Sequence, residues 1–311
     1  MKSVSIITPL FNKEPYVGDT LRSVLEQTFP DWEMIVVENG STDHGPEIVQ
    51  RCTDSRIRLV GSPRRGPGAA RNFGLGQATG EWVLFLDADD LIAPDFLHHR
   101  MALAKANDTA DLVVGCWEEF SVNQPVRVPR RPAGFGQPAK FLEQSAIAFT
   151  PWALHSAIVR RRRLTPDLFW TESLDGLPSE DTGFWFPIIC GASIVWTEKA
   201  GAIYRVQTNN SRNEINDAER WIRAVTGVID HNVDYLRRKG SQPSPEQCAS
   251  MVRVLESSYR LAIAKQSRPA ASMALEQAKF WLAQCPSFSR SLALRKYLGL
   301  RVFNLLRFGT I

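Results

Sequence analysis

Carboxylates crowd the end of one apolar segment of this chain. In Phe85-Leu-Asp-Ala-Asp-Asp90, Asp87 and Asp89 stand one residue apart and Asp90 follows directly. Like charges this close repel, and a divalent cation relieves the repulsion. Hard oxygen ligands leaving a buried strand suit Mn2+ or Mg2+, ions that keep open positions for phosphate oxygens. The same residues also suit a helix N-cap or a solvated turn, and Asp-x-Asp by itself does not choose between them.

Three further segments bear on that choice. In Val36-Val-Glu-Asn-Gly-Ser-Thr-Asp43, the glycine permits a tight turn, and Glu38 or Asn39 can hydrogen-bond a base or ribose. The alternative is an ordinary strand–turn–helix connection with Asp43 as cap. In Gly66-Pro-Gly-Ala-Ala-Arg-Asn72, small residues let the backbone pass close to a ligand, and Arg71 offers a charge-assisted fork to a diphosphate. A helix start with a solvated arginine is the default for this segment taken alone. In Pro178-Ser-Glu-Asp-Thr182, Ser179 can cap a helix whose positive end suits Glu180 and Asp181. The functional alternative makes Asp181 a general base beside an acceptor hydroxyl. Trp185 is then either an apolar platform on the acceptor side or a core residue.

The elements that must hold these residues alternate. Strands are expected at Val4–Thr8, Met34–Val37, Ile57–Val60, Trp82–Leu86 and Asp111–Trp117. Helices are expected at Pro15–Gln27, after Asp43, and from Gly66 to Gln77. That order argues for an α/β fold with a mostly parallel central sheet flanked by helices, where ligands bind beyond the carboxyl ends of the strands. The proline-rich stretch 124–138 reads as a loop. From about Asn213 the pattern becomes helical, with Ile222, Val225, Ile229, Val233 and Leu236 as one stripe and Met251, Val254, Leu255 and Leu261 as another. In Ser289–Phe308, Leu294, Leu298, Val302, Leu305 and Leu306 share a face, with Arg290, Arg301 and Arg307 largely opposite.

Taken in order, these segments resemble the family 2 inverting glycosyltransferases with the GT-A fold. The opening Ser5-Ile-Ile-Thr-Pro-Leu-Phe-Asn12 resembles that family's first motif. Leu25-Glu-Gln-Thr28, Val36–Asp43, Ala70-Arg-Asn72, Gly80-Glu-Trp82, Leu86–Asp90 and Glu180-Asp181 follow its pattern across residues 3 to 212. The resemblance implies that Pro9 and Phe11 flank a nucleotide base and that Glu38 and Asn39 contact base and ribose. It places Arg71 on the donor phosphates, Asp87 and Ala88 with the donor, and Asp89 on the metal with help from Asp87. Asp181 becomes the catalytic base, and His155, Glu180 and Trp185 fall on the acceptor side. Tyr204–Ser211 resembles a loop that closes over the diphosphate. Two positions depart from the pattern: Asn39 stands where the family often has an aspartate, and Gln207 where it often has a histidine.

The resemblance implies transfer of a sugar from a nucleotide-diphosphate sugar to a carbohydrate or lipid-linked acceptor hydroxyl, as in bacterial-type polysaccharide or glycoconjugate synthesis. A non-catalytic nucleotide-sugar-binding protein or scaffold is the alternative. The expected division is a GT-A domain at 1–212, split into a nucleotide-sugar half (1–117) and an acceptor half (118–212), followed by a helical region at 213–311. Rival classes lack their motifs: there is no GxGxxG after the first strand, no GxxxxGK[ST] and no HExxH.

Composition agrees. The chain has 311 residues, 44% of them hydrophobic and 23% charged, which is globular. A net charge of +4 admits anionic ligands but is too modest for a nucleic-acid binder. Five scattered cysteines without a CxxC pair fit a reducing, cytoplasmic setting. Val4–Thr8 is too short for a signal-peptide core, and no run of eighteen apolar residues occurs. The expected place is therefore the cytoplasm or the inner face of the plasma membrane. The C-terminal helices have three expected uses: covering the acceptor domain, a homodimer contact, or lying on lipid through the basic amphipathic tail. The Arg160–Arg163 run reads either as a contact for a phosphorylated or lipid-diphosphate acceptor or as a solvated face.

Overall fold

Val4 to Leu10 is buried on both sides apart from Pro9, and it pairs with a strand on each side, which makes it a central strand. The computed structural model describes residues 2–121, 123–206, 217–285, 293, 295–296 and 299–308. By contacts the chain forms two compact units. The first comprises residues 1–139, 151–175 and 191–211, and the second residues 140–150, 176–190 and 212–311.

The first unit is built on one sheet. Its strands are β1 (Val4–Leu10), β2 (Trp32–Glu38), β3 (Ile57–Gly61), β4 (Trp82–Phe85), β5 (Leu91–Ile92), β6 (Leu112–Ser121), β7 (Gln124–Arg130), β8 (Ala157–Arg160) and β9 (Ile194–Val206). They lie in the order β3-β2-β1-β4-β8-β6-β9-β5, with β7 added on β6. Parallel pairing joins β3, β2, β1 and β4, as expected for the first half. Further along, β8 runs antiparallel to both β4 and β6, while β9 runs parallel to β6, so the sheet as a whole is mixed. The helices α1 (Glu14–Leu25), α2 (Gly45–Gln50), α3 (Pro67–Gln77) and α4 (Phe96–Ala106) connect these strands. Val17, Leu21 and Val24 of α1 pack with Val4, Ile6, Met34, Val36 and Leu84 of the sheet in one core.

One expectation needs correction here, and a second is refined. The stretch 124–138 is not all loop, because residues 124–130 form β7. Among the described residues β7 pairs only with β6, and such an edge position tolerates Pro125 and Pro129, which cannot donate to a ladder. The arginine run divides: Arg160 and Arg161 are tied to the protein, while Arg162 is solvated at 61% exposure. Arg160 Nε donates to the Ala110 carbonyl and its Nη1 to Glu81 at 2.6 Å, while Arg161 Nε donates to the Gly80 carbonyl.

The second unit is helical. It contains α5 from residue 140 onward (Ala139–Ala146), α6 (Glu180–Ile189), α7 (Ala218–Arg238), α8 (Pro245–Ala264), α9 (Arg268–Gln284) and α10 (Leu300–Phe308). The stripe expected on α7 is the buried one, with Ile222, Val225, Ile229 and Val233 all at 6% exposure or less. Ser244 caps α8 in a reciprocal capping box with Gln247. In the tail, Leu294, Leu298, Val302 and Leu306 lie outside the residues whose side chains are described, and Leu305 is exposed. The buried positions are Arg295, Leu300, Phe303 and Asn304. No described helix is long and apolar enough to cross a membrane.

Candidate active site

Strand register decides which side chains meet. Leu10 is level with Glu38, so β1 and β2 end together, while β4 ends at Phe85 level with Ile7, and the chain leaving β4 at Leu86 to Asp90 runs on past the last residues of β1. Pro9 and Phe11, Glu38 and Asn39, and Asp87 to Asp90 therefore share one sheet edge in the first unit. Phe11 is 49% exposed there.

The β2 turn is braced by its own polar side chains. Glu38 Oε1 accepts from the backbone N–H groups of Gly40, at 2.7 Å, and Ser41. Asn39 is buried. Its Nδ2 donates to the Arg64 carbonyl at 2.9 Å, and its Oδ1 accepts from Gly66 N at 2.7 Å. Both ends of the amide thus hold the loop before α3. Asp43 spans two helix starts, accepting from Gly45 N and from Glu14 N. It serves α1 as well as the α2 expected from the sequence.

The glycine-rich segment departs from expectation. Its close approach is to a protein carboxylate: Gly68 N and Ala69 N donate to Asp175 at 2.7 and 3.1 Å. Gly66 has φ +120°, and a Cβ there would stand 2.1 Å from Asp175 Oδ2, so a side chain is excluded twice over. Arg71 is 1% exposed instead of projecting into solvent toward a phosphate. Its guanidinium stacks over Trp170 at 4.1 Å, and Nη2 donates to Asp87 Oδ1 at 2.6 Å. What the geometry shows for Arg71 is the orientation of Asp87.

Each of the three aspartates has a distinct setting. Asp87 is held by Arg71. Asp89 Oδ2 receives Lys13 Nζ at 2.5 Å. Asp90 is buried, accepting from Arg205 N at 2.8 Å, with His155 Nδ1 3.2 Å away. Burial first, then the charges of Asp89 and Asp87, push the Asp90 carboxyl well above the usual carboxylate range. Ala88 is buried, and its carbonyl and that of Asp90 both accept from Thr20 Oγ1. Arg205 Nε donates to the Asp89 carbonyl, so the backbone of this segment is clamped from β9 as well.

His155 is corrected by the same geometry. It is 0% exposed, and burial pulls its imidazole down to about 4, so it stays neutral near pH 7 and forms no open surface. Its place is beneath the aspartates, against Asp90 and the Tyr204 ring. Among the described residues, no group of three or more His, Cys, Asp and Glu side chains is arranged as a metal cage. Gln207 to Ser211 of the expected closing loop lie outside the described residues.

Asp181 lies in the second unit, in the first turn of α6. Thr150 Oγ1 donates to its Oδ1 at 3.1 Å, and Thr150 is in turn bonded to Thr182. Ser179 does not cap this helix with its side chain. It adopts φ +59°, a left-handed conformation uncommon for serine, immediately before Glu180 and Asp181. Trp185 is a core residue at 1% exposure, packed edge-on to Phe184, and Glu180 is buried too, so neither forms an open platform.

Lys13, Arg205, Trp170, Asp175 and Thr150 were not singled out from the sequence for these contacts. Lys13 directly follows the opening motif and Arg205 lies in the expected closing loop, and these are the local signals. The others are joined to the site only by folding.

This sheet with its acidic edge is the GT-A arrangement, and solved structures agree. The chain superposes on Staphylococcus aureus TarS (residues 1–349, in complex with UDP) with a TM-score of 0.65 and 22% identity, covering 99% of this chain and 92% of that one. It also superposes on the mannosyltransferase PcManGT from Pyrobaculum calidifontis, in complex with GDP-Man and Mn2+, with a TM-score of 0.55 and 21% identity over 96% and 79% of the two chains. Residues 5–163 match Glycosyl transferase family 2, and the chain belongs to that family. Similar sequences include an uncharacterized glycosyltransferase of Haemophilus influenzae, 40% identical over 104 residues. Another is the putative teichuronic acid biosynthesis glycosyltransferase TuaG of Bacillus subtilis, 43% identical over 101 residues. Each match covers 32% of this chain, and the chain spans only 42% and 40% of the length of those two relatives.

Proposed function

We propose that the chain transfers a sugar from a nucleoside-diphosphate sugar to a hydroxyl of a carbohydrate or lipid-linked acceptor, with inversion at the anomeric carbon and with Mn2+ or Mg2+ as cofactor. The observation that carries this reading is the parallel pairing of β2, β1 and β4, whose carboxyl ends point to one sheet edge and bring the segments of Pro9 and Phe11, Glu38 and Asn39, and Asp87 and Asp89 to it. The UDP and the GDP-mannose with Mn2+ in the two structural neighbours support a nucleotide-sugar donor and a divalent ion. The name of TuaG supports polysaccharide synthesis as the setting.

The residues fit such an ion. Asp89 is a hard oxygen donor beside Asp87, and a cation, the Lys13 ammonium, already stands on it. Asp89 would hold the metal with help from Asp87. When bound, the ion supplies positive charge for the departing diphosphate. Pro9 and Phe11 flank the base, Glu38 and the Asn39 turn meet base and ribose, and Arg71 acts on the donor through Asp87. Asp181 accepts the acceptor's proton as that oxygen bonds to the anomeric carbon and the bond from that carbon to the diphosphate oxygen breaks. With one displacement and no enzyme nucleophile, the configuration inverts.

Residues 1–212 carry this chemistry in our reading, with 1–117 serving the donor, 118–212 the acceptor, and 213–311 a helical accessory region. The cytoplasmic face of a membrane is the proposed place.

The test is release of nucleoside diphosphate by purified protein given Mn2+ and a panel of UDP-, GDP- and TDP-sugars. Asp181→Asn is expected to lower turnover by about 10²–10⁴-fold while leaving nucleotide binding intact. Unchanged turnover in that variant excludes the base role. Binding without release for every donor would favour the scaffold alternative.

A further inference from the structure

The segment after β1 brings the Lys13 ammonium to the Asp89 carboxylate. Asn12 adopts φ +51°, a left-handed conformation that asparagine tolerates better than most non-glycine residues. It is pinned there: Asn12 Oδ1 accepts from Thr42 N at 2.8 Å and from Thr42 Oγ1, and Asn12 N donates to Ser41 Oγ. On the other side, Glu14 N donates to Asp43 Oδ2 at 2.8 Å. Lys13 is therefore rooted between two anchored residues. Its ammonium meets Asp89 Oδ2 at 2.5 Å, with the two side chains only 16% and 14% exposed. The backbone of Asp89 is fixed independently by Arg205 Nε at 2.8 Å. Neither partner needs Lys13 to keep its main chain in place, so the contact is an ion pair between two preset groups.

We propose that Lys13 is a built-in counter-ion of Asp89 that competes with the divalent cation for the same carboxylate. This rests on the reading of Asp89 as metal ligand. Without metal, the ammonium offsets the charge of Asp89 beside Asp87 and Asp90. A dication arriving at Asp89 displaces the ammonium, because two cations on one carboxylate repel. The apparent metal affinity is then lowered by the strength of the pair it breaks. Lys13 is a positioning residue that sets how much metal the site requires before it fills.

The experiment counts free Mn2+ by electron paramagnetic resonance over the full chain, with no nucleotide present. Lys13→Met removes the competing charge and keeps the aliphatic stem. It is expected to tighten Mn2+ binding about tenfold, the order expected for losing one partly screened ion pair. Lys13→Arg retains a cation and is expected to stay near wild type. In the double variant with Asp89→Asn, the gain from Lys13→Met is expected to vanish. Melting supplies a second readout: Lys13→Met melts lower than wild type in chelator and gains more on adding Mn2+. Equal Mn2+ affinity in wild type and Lys13→Met, both sensitive to Asp89→Asn, overturns the competition and spares the metal reading. No Mn2+ binding by either protein, whether UDP or GDP is absent or added, overturns both. A gain that survives Asp89→Asn places the ion elsewhere and overturns the competition.

Discussion

Asn39 shows how one side chain takes different work in different surroundings. At the end of β2 an aspartate would offer two acceptors to a base imide. The amide here gives a donor to the Arg64 carbonyl and an acceptor to Gly66 N, and so ties the β3–α3 loop to β2. Replacing it with the family's commoner residue sets a carboxylate oxygen against a carbonyl oxygen. Asn39→Asp is therefore expected to destabilise the chain by about 1–3 kcal/mol, the usual cost of an unmet buried polar group. Denaturant midpoints measure this, and faster tryptic cleavage after Arg64 or Arg65 locates it. A fully stable Asn39→Asp variant would mean the amide is not bracing the loop.

The sheet is stitched at the end opposite the site. Glu33 Oε1 on β2 accepts from Ser5 Oγ on β1 and from the N–H and hydroxyl of Thr79, just before β4. Burial raises the Glu33 carboxyl, but these bonds and the Arg58 charge outweigh it, so the net direction is below its ordinary value of 4.5. A carboxylate lowered in the folded state contributes stability above its unfolded value and loses it as pH falls through and below that value. Glu33→Gln should cost about 1–2 kcal/mol at pH 7 and should flatten the loss of stability below about pH 4.5. Urea melts at pH 7 and pH 4 check both signs. Beside it, a Cβ on Gly80 would fall 2.5 Å from Ser5 N and 2.7 Å from Val4 C, both backbone atoms. Gly80→Ala must part β1 from the β4 entry and is expected to cost about 1–3 kcal/mol. A neutral effect in thermal melts would contradict that contact.

At the scale of the whole chain, the two compact units are stabilised differently. The first rests on sheet and helix packing around Val4, Ile6, Met34, Val36 and Leu84. The helical unit includes a buried ion pair, with Arg295 Nε and Nη2 both donating to Glu256 at 2.8 Å and both residues at most 6% exposed. Removing one partner strands the other charge. Arg295→Ala is expected to lower the stability of this unit by about 3–5 kcal/mol, while Arg295→Met with Glu256→Leu recovers most of it. Denaturation followed by the helical signal distinguishes them. The pair also bears on the amphipathic tail. Arg295, Phe303 and Asn304 face the unit's interior, so deleting residues 289–311 uncovers Glu256 as well as removing the exposed Leu305, Phe308 and Arg307.

Periodicity and motif order made the alternation of β1 to β4 with their helices legible, because a strand buried on both faces must be apolar throughout and its covering helix must carry one apolar stripe. Motif types likewise pointed to Pro9, Glu38 and Asp87 to Asp89 as one edge, since chain ends in a parallel sheet can only gather on one side. Side-chain partners were not legible. Lys13 sits on Asp89, Arg71 on Asp87, Asp175 on the Gly68 amide and His155 under Asp90, across separations that no local pattern spans. Whether an arginine is solvated or buried, or a tryptophan is a platform or core, depends on what packs over it. That is a property of the assembled sheet and helices, and the order of residues along the chain does not carry it.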